Sequence, residues 1–82
     1  MAPDAFVERI RSEVEHLALL YAGMPDEIVE ASLKDFGERV LVQWREVFSL
    51  LKPDDVAGMV EDLLGRIRAR RREIEVGGRG LA

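Results

Sequence analysis

Glu13 and His16 are the two side chains whose spacing is suited to metal binding. They form a Glu-x-x-His pattern, by which helices of di-iron carboxylate proteins present two ligands on one face. A second copy of the chain would supply a matching pair, and a bridging carboxylate would come from Glu30 or Glu46. Because the spacing is also frequent by chance on helices, a di-metal carboxylate protein is our third functional hypothesis. We expect no bound metal and no cofactor.

Other residue types that support catalysis lack the context that catalysis requires. None of the serines lies in a nucleophile-elbow motif. The glycine-rich segment 77–80 follows a helical pattern, whereas a phosphate-binding loop lies between a strand and a helix. Carboxylates are plentiful, but nothing in the sequence marks a pair as buried and mutually perturbed, as acid–base catalysis needs. We therefore expect that the protein is not an enzyme.

Charge is distributed unevenly along the chain. Residues 1–62 contain 14 acidic and 6 basic side chains, whereas residues 63–82 contain 6 arginines and 2 glutamates. The arginines cluster at Arg66, Arg68, Arg70, Arg71 and Arg72. At about 100° per residue they point around the whole circumference of a helix, so we expect them to project into solvent or to bind an acidic partner. The candidate contact residues are Arg68, Arg71 and Arg72.

Nucleic acid and an acidic protein surface are the two candidate partners for these arginines. A small regulator of the phage or antitoxin type, binding nucleic acid through this segment, is the alternative function. The net charge of −4 and the lack of aromatic residues near the cluster argue against it. A helix-turn-helix reading would also place Asp26 and Glu27 against the phosphate backbone. The sequence therefore favours a protein partner.

Three Pro-Asp pairs predict where helices begin. The pairs are Pro3-Asp4, Pro25-Asp26 and Pro53-Asp54. Proline tolerates the first helical position because its missing N–H would be unpaired there, and carboxylates favour the positive end of the helix dipole. The resulting helices are expected at about residues 3–22, 25–52 and 53–76. Gly23 and Gly77-Gly78 are expected to end the first and third helices.

Apolar residues recur at helical spacing in each of these segments. The first helix carries Phe6, Ile10, Val14, Leu17 and Tyr21. Gly37 is the weak point of the second helix, but a glycine costs only about 1 kcal/mol relative to alanine, so one continuous helix is favoured over a break that would give four helices. The third pattern is lost at Arg70, so its packing should stop near Ile67. The fold class is thus an all-α antiparallel three-helix bundle.

The apolar face of the second helix is wider than a three-helix unit needs. One explanation is that both neighbouring helices pack on it; the other is that Trp44, Phe48 and Leu51 anchor a partner. Gly58, Gly65 and Ala69 share a face of the third helix. That face would allow close approach of another helix, from the same chain or from a second one. A chain this short has a limited core, and dimerisation would complete it.

These patterns lead to one prediction of organisation and function. We expect a single helical domain at 1–76 and a flexible tail at 77–82. The longest apolar run, residues 17–24, is too short to span a bilayer, so a cytoplasmic protein with no membrane contact is expected. The predicted function is a small protein–protein interaction or assembly module, most simply a homodimer, with a heterologous protein partner as the alternative.

Overall fold

The computed structural model describes residues 3–80, with the side chains of residues 5–77, and is all-α. The helices are α1 at Pro3–Tyr21, α2 at Asp26–Val47 and α3 at Pro53–Gly80. No strand occurs in this part of the chain, and the predicted three-helix, all-α class is confirmed. Within the same residues, no helix combines the length and the apolar character needed to cross a membrane.

The Pro-Asp pairs do begin the helices. Pro25 precedes α2 with φ −58° and ψ 140°, and its carbonyl accepts hydrogen bonds from the N–H groups of Ile28 and Val29, both at 3.1 Å. Asp26 and Glu27 occupy the first turn, where the positive end of the helix dipole favours carboxylates. Local sequence chemistry therefore favours a helix start at this point.

The second helix ends earlier than its apolar pattern indicates. It was expected to reach residue 52 but ends at Val47, and the N–H of Phe48 donates to the carbonyl of Trp44 at 2.8 Å. Proline disfavours helical backbone at the preceding residue, so Pro53 excludes Lys52 from a helix. Residues 48–52 form a turn, closed by a 3.0 Å hydrogen bond from the N–H of Leu51 to the carbonyl of Phe48.

The third helix continues past its predicted end. The glycines at 77 and 78 were expected to stop it, but α3 runs to Gly80. Glycine allows a helix to end because it adopts positive φ readily, yet it does not impose an end. Gly23 does adopt this conformation, with φ +82°, just after α1. Residues 81 and 82 of the predicted tail lie outside the described residues, and its flexibility stays a prediction.

The chain packs as two units. Unit 1 contains α1 and the part of α3 from Arg66 onward, and unit 2 contains α2 and the part of α3 up to Gly65. The buried apolar side chains of unit 1 are Leu17, Ala18, Tyr21 and Ile67. Those of unit 2 are Val29, Leu33, Val40, Val56, Val60, Leu63 and Leu64.

Gly37 is a point of close approach between α2 and α3 in unit 2. It is buried, and a Cβ atom added there would lie 3.0 Å from Cδ1 of Leu64. Gly37 and Leu64 lie at nearly equal distances from the 48–52 turn, as expected for an antiparallel helical hairpin. The helix is continuous through Gly37, so the alternative of four helices is wrong.

The close approach at Gly37 predicts that the free energy of unfolding depends strongly on the size of the side chain at position 37. Gly37→Val should lower the free energy of unfolding by about 1–3 kcal/mol because the added methyl groups overpack the contact with Leu64. Gly58→Val is the matched control, since Gly58 is also helical but has no atom within 4 Å of an added Cβ. Chemical denaturation should leave the control within about 0.5 kcal/mol of the wild type. Equal losses in both variants would contradict the close contact.

Candidate functional site

Five apolar residues gather where α2 ends and the 48–52 turn begins. This apolar hairpin end consists of Trp44, Val47, Phe48, Leu50 and Leu51. Leu50 is fully exposed at 100%, Val47 is 66% exposed, and Leu51 is also exposed. Trp44 and Phe48 are half-buried. A contiguous group of large apolar side chains in contact with water is the kind of patch that marks an interaction site.

The exposure of Val47 has a simple cause. Leu33, Val40 and Val47 are spaced seven residues apart and therefore share one face of α2. The first two are buried, but α3 opens with a charged first turn that includes Asp54, and its first buried residue is Val56. The apolar stripe of α2 thus extends beyond the part of the hairpin that α3 covers.

The two aromatic rings of the apolar hairpin end pack on each other. The ring centroids of Trp44 and Phe48 are 6.1 Å apart, with an interplanar angle of 87°. This edge-to-face arrangement is favoured for aromatic pairs, and the four-residue spacing places the two rings on one face. The contact holds both rings in place beside the exposed leucines.

The sequence-predicted residues Trp44, Phe48 and Leu51 therefore come together in the structure. Leu50 and Val47 were not among the predicted contact residues. The prediction carried α2 to residue 52, and only the helix end at Val47 places Leu50 in a turn with full exposure. Pro53 disfavours helical backbone at Lys52 only, so it does not account for an end at Val47.

Arg70 lies in unit 1 and binds α1. Its Nε and Nη2 atoms donate to the two carboxylate oxygens of Glu15 at 2.8 and 2.9 Å, and Nη1 donates to Glu73 at 3.0 Å. The bidentate geometry suits a guanidinium and a carboxylate. The hydrogen bond from Arg70 lowers the pKa of Glu15, and the same contact raises the pKa of Arg70.

Arg71 also contacts α1. Its Nε donates to the carbonyl oxygen of Tyr21 at 3.1 Å and lies 2.9 Å from a carboxylate oxygen of Glu75, and its side chain is only 14% exposed. The last turn of α1 contains no basic residue, so Arg71 supplies the cation that favours a helix C-terminus. Arg71, which we predicted to contact a partner, is thus used within the chain.

Two expectations about this segment are corrected by these contacts. Packing was expected to stop near Ile67, but Arg70, Arg71 and Ile74 are all half-buried. The arginines were also expected to project into solvent or bind a partner, which does not hold for Arg70 and Arg71. Long arginine side chains can cover apolar surface with their methylene groups while their charged ends find partners, so the loss of an apolar residue at position 70 does not end the packing.

The remaining two predicted arginines, Arg68 and Arg72, border an open groove on α3. The α3 groove is lined by Arg68, Ala69, Arg72, Glu73, Val76 and Gly77. Ala69 and Val76 are exposed there. In unit 2, Gly58 and Gly65 are exposed too, with open space where a Cβ would lie. The explanation that these small residues lie under another helix of the chain is therefore wrong.

Within the described residues, the structure brings no third metal-ligand side chain to the Glu-x-x-His pair. Glu13 and His16 are both exposed. Across the described residues, no three or more side chains of His, Cys, Asp or Glu come together as metal ligands would. The neighbouring Glu15 is bound to Arg70 instead.

No protein family, curated protein or solved structure matches this chain. The two surfaces, the apolar hairpin end and the α3 groove, therefore carry the functional inference alone.

The contrast between two adjacent arginines gives a test of the unit 1 contacts. Arg71→Ala should lower the free energy of unfolding by about 1–2 kcal/mol, because it removes a charged donor from the Tyr21 carbonyl. Arg72→Ala, an exposed neighbour on the same helix, should change it by no more than about 0.5 kcal/mol. Thermal or chemical unfolding of both variants measures the difference, and similar losses would contradict the assignment.

The Glu15–Arg70 pair predicts a pH dependence of stability. Because the pKa of Glu15 is lowered in the folded state, its contribution is present above the unfolded pKa and is lost as pH falls through the folded pKa. Glu15→Gln removes that contribution, so it should destabilise the protein at neutral pH and have less effect at a pH below the ordinary glutamate range. Unfolding free energies at both pH values test this. A deficit that does not shrink in acid would contradict the pairing.

Proposed function

We propose that this chain is a small helical protein–protein interaction module that assembles through the apolar hairpin end. The observation that carries the proposal is the apolar stripe of α2, which is buried at Leu33 and Val40 and continues, exposed, at Val47. Leu50 and Leu51 extend it into the turn. Contact of an apolar surface with water is unfavourable, and burial of that surface against a partner lowers the free energy.

Burial of the exposed side chains would contribute favourably to association. Full burial of an exposed valine or leucine side chain contributes about 1.5–3 kcal/mol. The Trp44–Phe48 pair would form the centre of the contact, since large aromatics dominate interface energetics. The turn is already held by the hydrogen bond between Leu51 and Phe48, so little conformational entropy is lost on binding.

A second copy of the chain is the partner that we propose. Two hairpin ends that face each other would present identical residues in a symmetric contact, and such dimers are the commonest soluble oligomers. The proposed location is the cytoplasm. A different protein with an apolar surface would be recognised by the same residues and is the alternative occupant.

Nucleic-acid binding and catalysis receive less support. Arg70 and Arg71 are engaged with α1, and the groove that holds Arg68 and Arg72 also holds Glu73, which would repel a phosphate. The net charge of −4 opposes binding further. Glu15 and Arg70, whose pKa values are shifted, are half-buried and bind each other.

Replacement of Leu50 tests the proposal without disturbing the core. Leu50→Asp places a charge at a fully exposed site, so the fold should be kept while the apolar contact is lost. Light scattering after size exclusion should give twice the mass of one chain for the wild type and the mass of a single chain for the variant. Leu19→Asp is the matched control, because Leu19 is 57% exposed on α1, and it should remain dimeric.

Salt provides a second readout for the same samples. An apolar interface should hold or tighten at high salt, whereas nucleic-acid binding should weaken steeply. A wild type that has the mass of one chain at all salt concentrations would refute the dimer. A Leu50→Asp variant that keeps the wild-type mass would show that the apolar hairpin end is not the interface.

A further inference from the structure

The α3 groove has a composition that suits an acidic, partly apolar helix. Arg68 and Arg72 are four residues apart and therefore lie one turn from each other along the same side of the helix. Ala69 and Val76 form an exposed apolar floor. A ligand that satisfies both features must offer carboxylates at a one-turn spacing together with small apolar side chains.

The chain itself carries a surface of that kind. The outer face of α2 consists of Ile28, Ala31, Asp35, Glu38 and Val42, which are spaced by three, four, three and four residues and are all exposed. Apolar residues lie at the two ends of this stripe and two carboxylates lie between them. Exposed apolar residues at helical spacing on a helix indicate a face that another element covers.

We propose that the α3 groove of one copy binds the outer face of α2 of a second copy, with Arg68 and Arg72 paired to Asp35 and Glu38. This inference rests on the proposed self-association and adds a second, charged contact to it. Each surface is the complement of the other in charge and in the placement of apolar residues. Charge complementarity of this type selects the partner and its register.

The ion pair of Asp35 on α2 does not prevent this contact. Asp35 is paired with Arg39 on the same helix, and both side chains are largely exposed to water. Exposed pairs of this type contribute little free energy, so the carboxylate can exchange its partner. In a symmetric dimer the contact between groove and face occurs twice, which doubles its effect.

Nucleic acid fits the α3 groove less well than a protein helix does. The apolar floor at Ala69 and Val76 would find no apolar partner on a phosphate backbone. A helix with both carboxylates and apolar side chains pairs with Arg68 and Arg72 and also covers Ala69 and Val76.

Two charge-reversed variants provide the test. One carries Arg68→Glu and Arg72→Glu, and the other carries Asp35→Lys and Glu38→Lys. Each alone places like charges in both copies of the contact, so its dimer dissociation constant should rise by roughly tenfold or more. An equimolar mixture should form a heterodimer, because each of its two contacts then joins opposite charges. Sedimentation velocity measures the masses and dissociation constants.

Controls separate this contact from general charge effects and from loss of fold. Arg9→Glu with Arg11→Glu makes the same change in net charge on α1 and should dimerise like the wild type. Circular dichroism checks the fold, and Arg68→Gln with Arg72→Gln replaces the reversal if the reversed variant unfolds; its dimer should still weaken.

The outcomes distinguish this inference from the proposed function. Recovery of dimers on mixing supports the contact. Variants that dimerise like the wild type, while Leu50→Asp does not, overturn the groove contact and leave the apolar interface standing. A wild type that never dimerises overturns both proposals. Nucleic acid that copurifies with the wild type and is lost with the groove variant overturns the contact in favour of a nucleic-acid site.

Discussion

Pro53 determines where α3 can begin, and so how much of α2 the hairpin can cover. A proline disfavours helical backbone at the residue before it, so Lys52 lies in the 48–52 turn, and the first buried residue of α3 is Val56. The apolar stripe of α2 has no such limit and reaches Val47. The apolar stripe of α2 is therefore longer than the part of it that α3 covers. Large apolar side chains remain exposed at one end of unit 2, and the proposed assembly follows from that exposure.

The charged residues of unit 1 have a different role from the one that their clustering indicates. Arg70 and Arg71 join α1 to α3 across 55 and 50 residues of sequence, through the Glu15 carboxylate and the Tyr21 carbonyl. Partly exposed ion pairs of this kind contribute modestly, so the buried side chains of Leu17, Tyr21 and Ile67 still supply most of the packing. The arginine cluster therefore contains residues that bind α1 and residues that line the α3 groove.

Local signals in the sequence predicted the helix starts and the apolar stripes well, because proline, aspartate and a helical period act over a few residues. The end of α2 was missed because the apolar run Val47-Phe48 and Leu50-Leu51 continues the helical pattern almost to Pro53. The helix end expected at Gly77 and Gly78 was wrong for a related reason, since glycine permits that end without requiring it.

Long-range pairs were beyond sequence reasoning. No local pattern in the sequence indicates that Glu15 binds Arg70, because the contact depends on how α1 packs in unit 1. The predicted contact residues Trp44, Phe48 and Leu51 were found together because their spacing already placed them near one helix end. Arg71 differs from Arg72 only through its direction on α3, which a count of arginines cannot reveal.

Trp44 is the only tryptophan of the chain and lies in the apolar hairpin end, so its accessibility tests the central claim most directly. Acrylamide quenching of its fluorescence should be compared between the wild type and Leu50→Asp under identical conditions. If self-association covers the apolar hairpin end, Trp44 will be quenched less in the wild type than in the variant. Equal quenching in the two proteins would contradict the account, because it would mean that nothing covers this surface.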